Sequence, residues 1–412
     1  MKGIRLPSNI RVDELLFFFS YGLFLLFSVL RTSLYYQYFI GSIYTLILLI
    51  CVGTSFVIEI LCNVTFNKKS LIGITVLFGL YLIITYANRS LFTGVGVIPL
   101  LIMSSRRIDF MKIARFSLIL MSAAVIFIVV SADMHIIRNI VIISSSGRRR
   151  EFLGFRFPLN APAMLFNITS LYIYIKKDSF KLISAVVLLL LNIYLFLRTD
   201  SKLSFVLSVM MIVFCWAVKF FYDRMCRSKI LTTLMVYSFV LSFVFSIAMA
   251  LAYDNDIKWM RTANELVEDR LYFASYSLEK YGVSLFGEKI PWVGWGTNEE
   301  GKSIAVNSEN YFYVDNMYIQ IMQRYGVILM GLFIAANTLA LRKAKKSKDL
   351  YCLIILTVIA LRCIIDHLSF QLYYNTFLFM ISYKLFYKGN LSMSMDNLRR
   401  YLKKLGLLRR NA

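Results

Sequence analysis

An all-α membrane protein, a polytopic bundle of about twelve transmembrane spans with one long outer loop that carries helix of its own, is the fold class predicted here. Three observations predict it. Of the 412 residues, 59% are hydrophobic and only 17% charged, and the mean hydropathy is +0.67, more apolar surface than one soluble core can hide. Apolar runs of span length follow one another along most of the chain. The polar connections between them are basic on every second turn, the pattern by which membrane proteins keep Lys and Arg in the cytoplasm.

The first run, 15–30, follows MKGIRLPSNIRVDE and has no small-residue cleavage site behind it, so it reads as a retained span and not a signal peptide. The others are 38–62, 71–87, 90–104, 116–132, 160–175, 180–197, 203–221, 230–253, 314–341, 350–366 and 368–387, the fourth short enough to be re-entrant. NKK at 67–69, SSRRIDFMKIAR at 104–115, KKDSFK at 176–181, KFFYDRMCRSK at 219–229 and RKAKKSK at 342–348 then fall on the side of both termini, which must be the cytoplasm. Residues 1–412 form one integral membrane domain on this reading. Two outer segments stand out: 132–160, and a large extracytoplasmic loop at 254–313, too long for a mere connector. Within that loop NELVEDRLYFASYSLEKYG spaces Leu266, Leu271, Ala274, Leu278 and Tyr281 for one amphipathic helix stopped by Gly282. The basic tail, 388–412, sets Leu398, Tyr401, Leu402, Leu405 and Leu408 opposite Arg and Lys, as a helix lying flat on the anionic inner leaflet would.

The net charge of +23 would point to nucleic acid in a soluble protein, but here many of the cations sit in short loops that orient spans, and a nucleic-acid partner is excluded. The six cysteines, Cys51, Cys62, Cys215, Cys226, Cys352 and Cys363, offer neither a disulfide framework nor a CxxC metal site. With only His135 and His367 in the chain, a His-rich metal site is excluded too, and no GxxxxGK[ST] loop marks an ATP motor.

The arginines carry the functional signal. Arg148, Arg149, Arg150, Arg156, Arg198 and Arg270 all fall in outer segments, where arginine is normally scarce, so they call for an anionic partner outside. In SSSGRRREFLGFRFPLNAP, 144–162, several guanidiniums, each able to grip two phosphate oxygens, suit a diphosphate near the membrane surface; the alternative is a solvated loop pairing with Glu151 or lipid. Arg198 in RTDSK has Asp200 as a ready local partner. Asp315 and Asn316 open a late span directly after the large loop, and Arg324 follows nine residues after Asp315. A carboxylate beside arginines suits a general base with cations stabilising a departing diphosphate, whereas a helix cap is the simpler role for Asp315. Asp366 and His367 are a second acid/base pair.

At GFRFPLNAPAM (154–164), the turn holding Arg198, DRLYFASYSLEKYGVSLFG (269–287) and VDNMYIQIMQRYGVI (314–328), the chain resembles the Wzy-type O-antigen and capsular polysaccharide polymerases and their relatives, the O-antigen ligases. The resemblance implies an all-helical, GT-C-like membrane glycosyltransferase in the bacterial cytoplasmic (inner) membrane, working on its outer face without metal, other cofactor or nucleotide sugar. Such an enzyme moves a growing glycan from undecaprenyl diphosphate onto the non-reducing end of a lipid-linked repeat unit. Its partners would be the lipid-linked oligosaccharide and polysaccharide, membrane lipids, a flippase and a chain-length regulator. The implied catalytic set is Asp315, Arg198 and Arg270; Arg148, Arg149, Arg150, Arg156, Asn160, Asn316 and Arg324 are the substrate-binding candidates. Ligases usually place a His before the Asn where this chain has Asp315, which favours the polymerase. A lipid-linked oligosaccharide flippase is the rival from another class, but it predicts an internal repeat that the chain lacks.

Overall fold

The computed structural model describes residues 12–38, 42–62, 68–88, 93–143, 147–294, 296–297 and 311–387. The basic tail at 388–412 lies outside the described residues. The first half of the fold comprises α1 (Val12–Arg31), α2 (Ser42–Cys62), α3 (Lys68–Asn88), α4 (Gly94–Ser104) and α5 (Phe110–Asp133), then a small hairpin of β1 (Val141–Ile143) and β2 (Arg149–Glu151). The second half comprises α6 (Asn160–Lys176), α7 (Leu182–Thr199), α8 (Lys202–Arg227), α9 (Lys229–Val236), α10 (Ser238–Leu251), α11 (Lys258–Leu266), α12 (Arg270–Tyr281), α13 (Met317–Lys346), α14 (Leu350–Arg362) and α15 (Phe379–Phe386).

The chain is a helical membrane bundle. Among the described residues six helices, α1, α2, α5, α7, α8 and α13, are long and apolar enough to cross a bilayer; α9 and α10 add a seventh if the pair, bent by 62°, is one span. Their outer faces show lipid-type side chains such as Ile119, Ile126, Leu190, Val206 and Leu241. Apolar runs outnumber these helices because composition does not register a break. The run at 90–104 becomes an 11-residue helix with Pro99 inside it, and the run at 350–366 a 13-residue helix. At about 1.5 Å per residue neither reaches the ~30 Å of a hydrocarbon core alone.

α6 sits at the centre and is buried on almost every side, packed by α5, α7, α8 and α14. Lipid offers no hydrophobic drive for helix association, so close packing and polar ties hold such a bundle. Asn167 on α6 supplies one tie, its amide donating to the Thr376 hydroxyl at 3.0 Å and accepting from the Thr376 amide at 3.1 Å. Tyr21 of α1 stacks edge-on to Phe379 at 5.0 Å and meets the Ser117 hydroxyl at 2.8 Å.

The two ends of the bundle differ in charge chemistry. At one end Asp349 gathers Lys177, Lys384 and the Tyr174 hydroxyl, beside Arg342 and Lys345. At the other, the end of α1 meets the start of α6: the Arg156 amide donates to the Thr32 carbonyl at 2.8 Å, and the Leu34 amide to Gly154 at 2.9 Å. Gly154 has φ +79°, and an added Cβ would lie 2.7 Å from Ile137, so only glycine lets these chains close. Cys51, Cys215, Cys226, Cys352 and Cys363 are free thiols.

Candidate functional site

A cavity of ≈290 Å³ opens at the second end, between the α7–α8 turn, the α11–α12 break, the start of α13 and the segment after α14. Arg148, Arg150, Asp200, Lys202, Glu268, Arg270, Asp315, Asp366 and His367 line it, with Phe157, Leu159, Leu203 and Leu266 as apolar wall. Four residues from the predicted site, Arg148, Arg150, Arg270 and Asp315, thus meet in one cavity although the sequence separates them by up to 167 positions, 315 less 148.

Asp315 is its centre. One carboxylate oxygen lies 3.2 Å from Arg270 Nε and the other 3.2 Å from His367 Nδ1, while His367 Nε2 stands 3.0 Å from the Tyr313 hydroxyl. Arg270 also donates to the Ile365 carbonyl. Asp315 does not cap α13: Asn316 does, its side-chain oxygen accepting from the Ile319 amide at 3.1 Å. That division of labour leaves the Asp315 carboxylate for the cavity. Asp366, expected to pair with His367 as acid and base, instead takes two hydrogen bonds from the buried Arg362 at 2.8 and 2.6 Å and one from the Leu368 amide at 2.8 Å. His367 therefore faces Asp315 at ion-pair distance, its buried Nδ1 without a hydrogen-bond partner among the described residues.

The RRR run leads into a β-strand, Arg148 directly before it and Arg149 and Arg150 within it, and alternation sorts the arginines. Ile142 pairs with Arg150 across the hairpin, and Arg149 shares a face with Glu151, 3.1 Å away. Arg148 and Arg150 reach the other way, both to Glu268 at 2.8 and 3.1 Å, and Arg148 also binds Asp200. The Nη2 of Arg148 is buried with no hydrogen-bond partner among the described residues, an open donor at the cavity wall. Partial desolvation pushes the Glu268 carboxyl up, but Arg148, Arg150 and Arg270 outweigh it and hold it below its ordinary value.

Glu268 owes its position to a break that the periodicity does not announce. The single amphipathic helix expected over the large loop is two helices, α11 and α12, with Glu268 and Asp269 between them at φ +55° and +62°. Asn264 stabilises the break, donating to Asp269 Oδ1 at 2.7 Å and accepting from the Tyr272 amide at 3.0 Å. Gly282 does end α12, at φ +61°.

Other predicted residues lie elsewhere. Arg198 does not line the cavity, nor does it pair with Asp200; it binds Glu151 at 2.5 Å and Asp133 at 2.9 Å, and reaches the Tyr194 hydroxyl at 2.6 Å. Arg324 stands 4.8 Å above the Trp292 ring. Arg156 donates to the Thr297 carbonyl at 3.1 and 3.2 Å, and Asn160 ties Thr32 to Tyr374, at 3.3 and 2.7 Å. Both belong to an adjacent cavity together with Arg31, which the sequence reading passed over. Its signal was available: Arg31 directly follows the first apolar run, 15–30.

α13 carries the second break. Gly326 has φ +94° within the helix, and residues 284–288 of the large loop press against it; an added Cβ would lie 2.1 Å from the Leu285 carbonyl oxygen. The Val327 amide donates to the Ser284 carbonyl at 3.1 Å and the Glu288 amide to Gln323 at 2.9 Å, so the loop supplies partners that the broken helix loses. The part of α13 from Met317 to the break is the part that directly follows Asp315. No family model matches this chain, and neither a curated protein nor a solved structure does.

Proposed function

We propose that the chain is a membrane glycosyltransferase of the polysaccharide-polymerase type, transferring a growing glycan from undecaprenyl diphosphate to the non-reducing end of a lipid-linked repeat unit. The observation that carries the reading is the placement of Asp315 between Arg270 and His367 in a cavity that also holds Arg148 and Arg150. In this reading the acceptor hydroxyl oxygen attacks the anomeric carbon of the donor sugar. The new C–O bond forms as the bond to the diphosphate breaks, and the diphosphate leaves with the electron pair. The hydroxyl proton passes to the Asp315–His367 pair, and Arg270, Arg148 and Arg150 stabilise the charge on the departing phosphates. Arg198, first assigned to the diphosphate, has a positioning role instead, because its donors are held by Asp133 and Glu151.

The same proposal includes the bacterial inner membrane, cytoplasmic termini and a twelve-crossing GT-C-like architecture. In it the short helices α4, α14 and α15 cross together with the irregular segments next to them. The concentration of Lys177, Lys384, Arg342 and Lys345 at one end of the bundle and of the cavity at the other supports that orientation. The test uses purified protein in liposomes with undecaprenyl-diphosphate-linked repeat unit alone, and the glycans run on a gel. A ladder of repeats is the expected result. A single unchanged band with lipid appearing in the opposite leaflet would replace the enzyme with a flippase.

A further inference from the structure

Between α8, the α9–α10 pair and α14 lies an apolar slot of ≈690 Å³. α8 and α10 both pack on α14, and the α9–α10 pair is bent by 62° beside the gap they leave. Helical spacing supplies the walls. α10 turns Ser238, Leu241 and Ser242 to the slot and α14 turns Ile354, Val358 and Leu361, each set repeating at three or four residues and so lying on one face of its helix. Depth separates a floor from a rim. Ser238, Ser242, Ile354 and Val358 are 2 to 6% exposed, whereas Phe214, Phe221, Leu234, Leu241 and Leu361 are 40 to 53% exposed. An apolar rim on the side of a membrane bundle faces hydrocarbon, so the slot opens sideways and takes its occupant from the bilayer.

Length and charge say which occupant. The slot follows α8 from Met210 to Arg224, fourteen residues (224 less 210), about 21 Å at 1.5 Å per residue. One leaflet is roughly half of a ~30 Å hydrocarbon core, so a single acyl chain fits within that length. Its polar end is the Asp349 end of the bundle, where the Tyr222 hydroxyl donates to the Lys348 carbonyl at 3.0 Å. α8 kinks at Phe221, and Arg224 follows, exposed, its guanidinium without a hydrogen-bond or ion-pair partner among the described residues. Asp223 is not among the described lining residues. Arg342 and Lys345 of α13 reach α9 and the bend from the other side, donating to the Tyr237 and Thr233 hydroxyls at 2.7 and 2.9 Å.

The geometry points to a phospholipid site at the end of the bundle away from the reaction cavity: one acyl chain of an anionic phospholipid lies in the slot, and its phosphate sits on Arg224. Hydrocarbon alone gives little preference, because a chain in the bulk bilayer already has apolar surroundings. Selection comes from the head, where a guanidinium fork matches phosphate oxygens and the cations around α9 favour a negative lipid over a neutral one. The slot in turn holds that head at one place, which a basic surface alone does not do. The inference concerns binding and stands whether or not the chain polymerises glycans.

Native mass spectrometry of the full, delipidated chain in detergent tests it, with phosphatidylglycerol and phosphatidylcholine of the same chains as probes. Wild type should bind its first phosphatidylglycerol about tenfold more tightly than phosphatidylcholine. Arg224→Gln should abolish that preference, Arg224→Lys should keep part of it, and Arg227→Gln, also exposed but outside the slot, should leave it whole. An unshifted thermal midpoint in Arg224→Gln separates lost binding from lost folding. Short-chained phosphatidylglycerol, which keeps the head and removes most of the tail, should lose the tight first step on wild type, a readout that needs no variant. A preference that Arg224→Gln leaves unchanged, that Arg227→Gln lowers equally, or that the short-chained lipid reproduces overturns the site. Undecaprenyl phosphate that displaces phosphatidylglycerol from the Arg224-dependent step overturns the choice of a phospholipid. A missing ladder in the polymerase test alters none of these readings.

Discussion

Where the reaction cavity sets Arg148, Arg150, Arg270 and Lys202 against Asp200, Glu268, Asp315 and Asp366, its neighbour across Phe157 sets Arg31 and Arg156 against tyrosines. A site that neutralises itself can stay assembled while empty, because each guanidinium keeps a carboxylate partner. An anionic ligand arriving there must exchange carboxylate oxygens for its own. The neighbouring cavity, with no acid among its described lining residues, offers no such base. In the proposed reaction, carboxylates among cations therefore do more than lower net charge: they place a base next to the groups that would receive the leaving anion.

The comparison breaks most sharply at Asp315. Asp315→Asn should cut ladder formation by roughly 10²–10⁴-fold, the usual range for loss of a general base. Initial rates of repeat addition at equal amounts of folded protein check this. Arg270→Gln should cost about 3 kcal/mol of transition-state stabilisation, near a hundredfold in rate, measured as initial repeat addition.

Gly326→Ala is expected to damage both cavities together. Its Cβ would meet the Leu285 carbonyl, and the large loop that docks there also brings Thr297 to Arg156. Strain of roughly 1 to 3 kcal/mol at such a position should lower the thermal midpoint and reduce ladder formation, measured by thermal melting and by the gel. Arg198→Gln should act differently, lowering stability by about 1 to 3 kcal/mol because Glu151 is 9% exposed and loses its main cation. Turnover per folded molecule should change far less than in Arg270→Gln, a contrast that normalising rate to folded protein would expose.

The smallest effect is the pH dependence of the Glu268 clamp. Its carboxyl is held below its ordinary value, so the contribution is complete above that value, 4.5, and is lost as pH falls through the lower folded value. Hydrogen-exchange protection over 258–270, corrected for the intrinsic pH dependence of amide exchange, should be flat from neutral pH to about 5 and fall below the ordinary carboxylate range. Glu268→Gln should show the faster exchange at every pH, with a difference of roughly 0 to 1 kcal/mol given its exposure.

Much of this was legible in the sequence. Apolar runs located α1, α2, α5, α7, α8 and α13, the helices long enough to cross a bilayer, and the arginine-dense segments around 148–156 and 270 fall at the end of the bundle where both cavities lie. The breaks were not legible, because each depends on a partner from elsewhere. Gly326 in YGVI resembles any glycine in an apolar helix until the carbonyls at 284–288 arrive. The turn at Glu268 and Asp269 rests on Asn264, a polar residue that periodicity ignores. Asp315 and Asn316 are equally good caps by type, and only Arg270 and His367 show which one faces the cavity. Arg198 and Asp200 were adjacent enough to suggest a pair, yet the hairpin interposes Arg148 and Glu151 and gives each a different partner.

The splice between α13 and the large loop limits how this protein can change over generations or in the laboratory. The Ser284 and Gln323 carbonyls have their amide partners on opposite sides of the junction, so one residue inserted or deleted between 284 and 288 shifts the register and strands polar groups at the glycine break. Variation in loop length must fall outside that five-residue stretch, counting 284 to 288 inclusive. Lineages, or designed variants, with loops of very different size should still share this short docking segment and the glycine it docks on.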